Sequence, residues 1–300
     1  MSDQEISLVV LREKYAKGAG QTRADVFRRV ARALASVEGE PRLWETRFFD
    51  AMCAGFIPAG RIMSAAGAGH EATLINCFVQ PIGDSMSDPD RQTGKPSIMD
   101  ALAKAAETMR RGGGVGYDFS CLRPKGARVN RTRSTASGPL DFMDLFNAMC
   151  RTVESAGARR GAQMAVLRCD HPDILDFVTA KSTGGRLTNF NVSIGVTDAF
   201  MRAVEADQEW ELVHSAEPSD QLIESGVRCR EDGKWVYHKI RARELWEKVM
   251  KNTYDHSEPG VLFVDRMNSE NNLWYCETIE ATNPYATCGP PAQSGVDNPT

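Results

Sequence analysis

The spacing of apolar residues differs between the beginning of the chain and the rest. Up to about residue 56, apolar side chains recur every three or four positions, as expected of amphipathic helices. Val26, Val30, Leu34 and Val37 have this spacing, and a second helical stretch carries Leu43, Phe48, Phe49 and Met52. Thr22 followed by Asp25 is typical of a helix start with an acidic first turn, and residues 18–21 form a glycine-containing joint before it. The pattern predicts an all-α segment over residues 1–56.

Beyond Pro58, short apolar runs alternate with helical stretches. The predicted strands cover residues 74–79, 115–119, 164–167, 190–196 and 261–265. The predicted helices cover residues 98–111, 140–156, 172–181, 198–206 and 242–258. Such alternation is typical of βα units around a largely parallel sheet, which makes this an α/β region. Residues 209–238 interrupt the alternation and are interpreted as an excursion from the sheet.

The composition is that of an ordinary soluble chain. Of 300 residues, 42% are hydrophobic and 25% charged, which suits one large α/β domain or two modest ones. The net charge of −4 gives no reason to expect a polyanion-binding surface, so nucleic acid is not an expected partner. We find neither a run of ~20 apolar residues nor a signal peptide at the amino terminus. We therefore expect no membrane association and a cytoplasmic location.

Eight cysteines and one polar cluster were considered as metal ligands. The cysteines form no C-x-x-C pair, and a cytosolic chain keeps its thiols reduced, so no metal site is expected from them. The stretch Cys169-Asp170-His171-Pro172-Asp173 gathers further metal-binding side chains. Its proline and acidic residues are equally suited to starting a helix. Both interpretations of this stretch stay open.

Cys77 ends the run Leu74-Ile-Asn-Cys77 and lies shortly before the turn Gly83-Asp84-Ser85. It is either a buried structural cysteine or a thiol that a strand delivers to a site. Asp84 and Ser85 could likewise simply close their turn through side-chain hydrogen bonds.

Two further loops have unusual compositions. The glycine run of residues 112–116 allows close backbone approach, or it stops the helix before it. It lacks the lysine and hydroxyl residue of a P-loop and the G-x-G-x-x-G spacing of a dinucleotide fold. Residues 155–163 combine small residues with Arg159 and Arg160, which fits either a mobile loop that closes over a nucleotide or a solvated basic turn.

Taken in order, eight motifs resemble the class II ribonucleotide reductases, which depend on adenosylcobalamin. They are Phe56-Ile-Pro-Ala-Gly-Arg61, Leu74-Ile-Asn-Cys77, Gly83-Asp-Ser-Met86, the glycine run with Tyr117-Asp-Phe-Ser, Ala136-Ser-Gly-Pro-Leu-Asp-Phe-Met143, Arg168-Cys-Asp-His-Pro-Asp-Ile174, Glu258-Pro-Gly and Thr282-Asn-Pro284. The resemblance extends over nearly the whole chain past residue 56.

The resemblance implies a fold. Members of the family share a ten-stranded α/β barrel built from two five-stranded parallel halves, with a finger loop inside that carries the radical-forming cysteine. This chain would comprise the helical segment (residues 1–56), the first half of the barrel (57–284) and a divergent tail (285–300) expected to be disordered.

The resemblance also implies roles for individual residues. Cys77 matches the first redox cysteine, which becomes a disulfide with a second cysteine beyond the finger loop, and Asn283 matches the finger-loop asparagine. The remaining roles are substrate contacts at Gly60, Arg61, Asn76, Cys77, Gly113 and Gly114, effector contacts at Asp84, Ser85, Met86 and Arg123, and a specificity loop containing Ala158, Arg159, Arg160 and Gly161.

The partners implied in the same way are a ribonucleotide substrate, a deoxynucleotide effector and a thioredoxin-like reductant. Adenosylcobalamin is the implied cofactor, and its contacts are not assigned to residues. A second copy of the chain or a carboxyl-terminal half chain is the expected protein partner, since half a barrel leaves sheet edges and an apolar face exposed.

The finger loop departs from the family pattern. The family reads Asn-Pro-Cys-x-Glu, whereas here Asn283 and Pro284 precede Tyr285 and no glutamate follows. Cys288 is displaced by three residues, or roughly 10 Å of extended chain. The chain alone is therefore expected not to reduce ribonucleotides. Two alternatives stay open, namely a class I large subunit and a non-catalytic module that binds deoxynucleotides.

Overall fold

A computed structural model describes residues 4–16, 22–129, 132, 134–153, 161–182 and 184–284. These residues form two compact units. The helical unit contains the described residues up to Asn76 together with Arg110–Gly113, and the α/β unit contains the other described residues. The domain boundary expected after residue 56 stays a prediction. Within the described residues, none of the helices combines the length and apolarity that crossing a membrane requires.

The helical unit packs its helices around a small apolar core. In chain order it contains α1 (Glu5–Val10), a π-helical turn (Leu11–Tyr15), α2 (Arg23–Ala35), α3 (Pro41–Cys53) and α4 (Gly60–Ala65). Helix α2 supplies most of the core through Val26, Phe27 and Val30. Thr22 caps α2 and accepts a hydrogen bond from the Asp25 N–H, as the sequence predicted. The joint at residues 18–21 lies outside the described residues.

The α/β unit alternates strands with helices. In chain order it contains β1 (Cys77–Val79), α5 (Ile98–Arg110), β2 (Gly114–Asp118), a 3₁₀ turn (Phe119–Cys121), β3 (Arg128–Val129), β4 (Ser134–Thr135), α6 (Pro139–Thr152), β5 (Gln163–Arg168), α7 (Ile174–Thr179), β6 (Phe190–Val196), α8 (Asp198–Glu205), β7 (Glu209–His214), α9 (Asp220–Glu224), β8 (Arg228–Cys229), β9 (Trp235–Arg241), α10 (Ala242–His256), β10 (Gly260–Phe263) and α11 (Val264–Ser269).

Five of these strands form one parallel sheet in the order β1-β2-β5-β6-β10. This arrangement confirms the predicted α/β region with the parallel strands of a half-barrel. The first strand begins at Cys77 rather than residue 74, because Leu74 and Ile75 are exposed and gain no burial by extending it. The other four predicted strands agree with the structure to within about two residues.

The two faces of the sheet carry different residues, since side chains alternate along a strand. One face packs against the helices and forms the main core, with Tyr117 of β2 and Ile194 of β6 among its buried members. The other face carries small residues on the same strands, including Gly116 and Gly195. Small residues there leave room for another segment of the chain.

The excursion at residues 209–238 contains a second sheet that the sequence analysis did not predict. Strands β7, β9 and β8 pair antiparallel in that order, with a register shift between Leu212 and Val213. The alternation of polar and apolar residues over 209–212, and the run of aromatic and β-branched residues over 235–237, are the signals that would have indicated these strands.

Candidate functional site

Cys77 lies at the end of the parallel sheet where its strands begin. It is the first residue of β1 and pairs with Gly114, the first residue of β2. A Cβ atom added to Gly114 would lie 3.2 Å from the Cys77 Sγ and 3.1 Å from the Pro284 Cγ. The thiol and the Asn283-Pro284 turn therefore border the same point, where a larger residue than glycine would require its neighbours to shift.

The segment from Ala281 to Pro284 lies against the face of the sheet that carries small residues. Ala281 packs in a cluster with Val79, Val166 and Leu262, which come from three different strands. Thr282 is fully buried, and its carbonyl oxygen would lie 2.0 Å from a Cβ atom placed on Gly116.

Polar contacts fix the end of the same segment. The Asn191 Nδ2 of β6 donates to the Pro284 carbonyl oxygen at 2.9 Å, and Asn283 is 8% exposed. Asn191 is not among the site residues predicted from the sequence. The Asn283-Pro284 turn is thus held beside Cys77 by both sheet packing and a side-chain hydrogen bond.

A cavity of about 470 Å³ adjoins Pro284. Its lining includes Asn191 and Ser193 of β6 and the turn before β10, where Glu258 lies. Glu258 forms an ion pair with Lys181, and its Oε1 accepts a hydrogen bond from the Val192 N–H at 3.2 Å. The Glu258-Pro-Gly motif belonged to the sequence resemblance, but no local pattern indicated that it would line a cavity.

Four of the predicted substrate contacts lie in the helical unit. Gly60 begins α4, and a Cβ added there would meet the Tyr15 hydroxyl at 3.3 Å. Arg61 donates a hydrogen bond to the Gly112 carbonyl oxygen. Gly113 and Asn76 belong to the same unit, whereas Cys77 and Gly114 belong to the α/β unit.

The predicted effector residues Asp84 and Arg123 form an ion pair after the carboxyl ends of β1 and β2. The Asp84 carboxylate accepts from the Arg123 N–H at 3.1 Å and from the Arg123 Nε at 2.9 Å. Burial raises the pKa of Asp84, and the contacts with Arg123 oppose that rise. Because the strands are parallel, their carboxyl ends lie together at one end of the sheet. The pair lies at that end, and Cys77 lies at the other, where the strands begin.

Ser85 and Met86 contribute backbone rather than side-chain contacts. Their carbonyl oxygens accept hydrogen bonds from the N–H groups of Ile98 and Met99 at the start of α5, at 2.8 and 3.2 Å. The Met86 side chain is 52% exposed. The structure therefore fixes the backbone of this turn and leaves the Met86 side chain in solvent.

Most of the predicted specificity loop, including Ala158, Arg159 and Arg160, lies outside the described residues. Gly161 is described, and a Cβ added there would lie 2.7 Å from the Cys150 Sγ of α6. The loop therefore returns to β5 through a position that packs tightly on α6 and excludes a larger residue.

The His171-Pro-Asp173 turn bonds to the backbone. The His171 ring contacts the Leu122 carbonyl oxygen at 3.0 Å, and the Asp173 Oδ2 accepts from the Lys125 N–H at 2.9 Å. Across the described ranges, no three His, Cys, Asp or Glu side chains are grouped as metal ligands. The stretch leads directly into α7, and Asp173 is the residue before the first residue of that helix.

The described cysteines differ in their surroundings. Cys150 and Cys169 are buried, and burial raises the pKa of their thiols to about 11 and about 12. Burial also raises the pKa of Cys121. Such thiols stay protonated and unreactive near neutral pH. Cys77, at the start of β1, is half-buried and therefore more accessible than Cys150 and Cys169.

Comparison with protein families decides what this arrangement belongs to. The barrel domain of ribonucleotide reductase matches residues 75–286, and the all-alpha domain of the same enzyme matches residues 1–71. The chain belongs to the ribonucleotide reductase family. The barrel match covers the parallel sheet, Cys77 and the Asn283-Pro284 turn together.

The chain is similar to several curated members of this family. A vitamin B12-dependent ribonucleoside-diphosphate reductase from Mycobacterium tuberculosis is 38% identical over 295 residues, covering 94% of this chain and 38% of the relative. One from Thermoplasma acidophilum is 34% identical over 78% of this chain and 27% of its own length. A ribonucleoside-diphosphate reductase subunit alpha from Helicobacter pylori is 26% identical over 86% of this chain and 33% of its own. The chain thus spans well under half the length of these relatives.

Proposed function

We propose that this chain forms the amino-terminal portion of an adenosylcobalamin-dependent ribonucleotide reductase, in which Cys77 reduces the ribose of a bound ribonucleotide. The observation that carries the proposal is the meeting of the Cys77 thiol and the Asn283-Pro284 turn at Gly114. A thiol held beside a buried turn suits a reaction that must exclude water from its intermediates. The identity to the two B12-dependent relatives supports this type of reductase over class I.

The proposed chemistry replaces the ribose 2'-hydroxyl by hydrogen. The C–O bond breaks and the oxygen leaves as water, while two thiols supply two electrons and two protons and become a disulfide. Cys77 is one of these thiols, and the second would come from the part of the family beyond the finger loop. Thiol–disulfide exchange with a thioredoxin-like dithiol then regenerates the pair.

The cofactor assignment rests on the names of the relatives. Adenosylcobalamin supplies radical chemistry where it is bound. The cavity of about 470 Å³ has the volume of a nucleotide-sized site and is too small to enclose a cobalamin. We therefore assign no described residue to the cofactor, and the roles proposed here belong to protein side chains alone.

The proposed regulatory site is the pair of Asp84 and Arg123. A half-buried carboxylate next to a guanidinium suits recognition of ribose hydroxyls and phosphate in one ligand. A deoxynucleotide effector would bind there, at the carboxyl ends of the strands, and Cys77 lies at their amino ends. We further propose a second copy of the chain or a carboxyl-terminal half chain as the protein partner.

The test is an activity assay with the finger-loop motif restored. The double variant Tyr285→Cys/Thr287→Glu would be mixed with a polypeptide that carries the remainder of the Mycobacterium tuberculosis relative, adenosylcobalamin, dithiothreitol and ADP. We expect deoxyadenosine diphosphate to form with this variant and not with the unaltered chain. Adding Cys77→Ser should abolish product, whereas Cys53→Ser, at an exposed cysteine, should not. Equal activity with and without Cys77 would contradict the proposed role.

A non-catalytic module that binds deoxynucleotides is the second candidate function. It is favoured by the tyrosine at residue 285 together with the intact ion pair of Asp84 and Arg123. It predicts saturable binding of dATP in calorimetry and no product in the assay above. The class I alternative predicts product without adenosylcobalamin when a radical-generating partner subunit is supplied.

A further inference from the structure

The segment of residues 121–125, here called the Arg123 segment, is held by side chains from other parts of the chain. The Leu122 carbonyl oxygen contacts the His171 ring at 3.0 Å, and the Lys125 N–H donates to the Asp173 carboxylate at 2.9 Å. The Arg123 N–H itself donates to Asp84. His171 and Asp173 therefore hold the backbone on both sides of Arg123.

The hydrogen bonds of His171 define the state of its ring. The Asp173 N–H donates to the His171 Nδ1 at 3.0 Å, so this nitrogen is an acceptor and carries no proton. The Nε2 must then carry the proton and donate it to the Leu122 carbonyl oxygen. The ring is 2% exposed and has a partner for each nitrogen. The ring is therefore neutral, is held in place, and donates a hydrogen bond from Nε2 to the Leu122 carbonyl oxygen.

A second histidine repeats the arrangement next to the first. The His214 Nδ1 accepts from the Ala216 N–H at 2.9 Å, and its ring meets the His171 ring edge-on with centroids 5.5 Å apart. One histidine of this pair comes from the turn after β5 and the other ends β7.

The Asp173 carboxylate, which accepts from the Lys125 N–H, is packed closely against Gly138. A Cβ atom on Gly138, which precedes α6 with a φ of +93°, would lie 2.7 Å from the Asp173 Oδ2. A side chain at this position would displace the carboxylate from the Lys125 N–H. The family motif that contains Gly138 and the one that contains His171 are therefore joined in one structural element.

These contacts fix the orientation of the Arg123 guanidinium. Its Nε donates to Asp84 at 2.9 Å, and its Nη1 donates to the Arg128 carbonyl oxygen at 2.7 Å. A guanidinium whose backbone and head are both held loses less freedom when it binds a phosphate. The support from His171 and Asp173 thereby contributes to ligand binding without touching the ligand.

We propose that His171 and Asp173 are positioning residues for Arg123 and that they strengthen the binding of deoxynucleotide phosphates at the site formed by Asp84 and Arg123. This inference rests on the effector site of the proposed function. It gives the Cys169–Asp173 stretch a role that is neither a metal site nor only a helix start.

The experiment is calorimetric titration of the full chain with dATP, dGTP and dTTP in turn. We expect His171→Ala and Asp173→Ala to weaken binding about tenfold, within the range of coupling between neighbouring residues. His171→Gln and Asp173→Asn should restore most of the affinity, because their amides can replace the lost donor and acceptor. Ile194→Val removes buried volume from the same core without affecting these hydrogen bonds and should bind like the unaltered chain.

A double-mutant cycle separates positioning from a general loss of stability. Arg123→Ala should remove most of the affinity, and His171→Ala should cost nothing further in that background, since it acts through Arg123. Independent, additive losses would overturn the inference. Thermal unfolding of each variant checks folding, and the amide variants carry the test if an alanine variant does not fold.

The two proposals fail in different ways. If the unaltered chain binds none of the three deoxynucleotides, the effector site is wrong and the inference falls with it. If the unaltered chain binds and Arg123→Ala does not, while both His171→Ala and Asp173→Ala bind normally, only the positioning roles are wrong.

Discussion

Gly116 lies where a side chain and another backbone would compete for one space. A Cβ atom there would be 2.0 Å from the Thr282 carbonyl oxygen and 2.9 Å from the Thr282 carbonyl carbon. Both are backbone atoms in a buried segment, so they cannot rotate away as a flexible side chain could. The missing side chain at residue 116 is therefore a condition for the Asn283-Pro284 turn to lie on the sheet.

Gly116→Ala should destabilise the α/β unit strongly. Overpacking costs ~1–3 kcal/mol, and a clash with backbone places this variant at or above the upper end. Gly195→Ala is the matched control on β6, because its Cβ would meet a Val264 methyl group at 3.2 Å. Urea unfolding measures both. A free energy of unfolding for Gly116→Ala equal to that of Gly195→Ala would contradict the close packing of Thr282.

The protonation of His171 predicts a dependence of stability on pH. Burial lowers the pKa of His171 from 6.5 to about 4, so between these values the unfolded chain takes up a proton that the folded chain does not. Stability is therefore lost as the pH falls below 6.5. From pH 7 to pH 5 the loss is about 2 kcal/mol.

His171→Gln should lack this loss. Urea unfolding gives the free energy of unfolding of the variant and of the unaltered protein at pH 7 and pH 5. On going to pH 5, the difference between the two proteins should shift by about 2 kcal/mol in favour of the variant. Burial raises the pKa of Asp118 and Asp173 to about 6, which acts in the opposite sense, but both carboxyls are present in both proteins. An unchanged difference would mean that His171 is not buried as a neutral ring.

At the scale of elements, the sequence predicted what local signals determine. The start of α2 followed from Thr22 and Asp25, because capping needs only residues within one turn. The strands of the parallel sheet followed from apolar runs such as that of β6, which matches its predicted bounds of residues 190–196. The apolar spacing failed at Val37, which is 86% exposed, because α2 has already ended at Ala35.

The capping box of α2 gives a prediction at this scale. Thr22→Ala removes the hydroxyl that accepts from the Asp25 N–H and should cost about 1 kcal/mol. Amide hydrogen exchange across residues 26–34 should speed up accordingly. The control is Thr46→Ala, since the Thr46 hydroxyl bonds only to the Arg42 carbonyl of its own helix. Equal exchange in both variants would show that the box does not stabilise α2.

At the scale of the whole molecule, the resemblance anticipated the family and the half-barrel, whereas the contacts between distant segments needed the structure. No local pattern places Pro284 beside Cys77, because the two are separated by the whole sheet in sequence. The cavity at Glu258 and the support of Arg123 by His171 likewise arise from strand order. Cys77 lies at the amino ends of the parallel strands, and the ion pair of Asp84 with Arg123 lies at their carboxyl ends. The sheet therefore separates the proposed reducing thiol from the proposed effector site.

The central claim is that Cys77 faces a bound ribonucleotide, and alkylation kinetics test it most directly. The full chain would be treated with iodoacetamide in the presence of increasing ADP, and modification of each cysteine followed by peptide mass spectrometry. Cys53 and Cys229 are exposed and serve as internal controls. We predict that ADP slows the modification of Cys77 saturably and leaves both controls unchanged, while inorganic phosphate has no effect. Modification of Cys77 at the same rate with and without ADP would contradict the account.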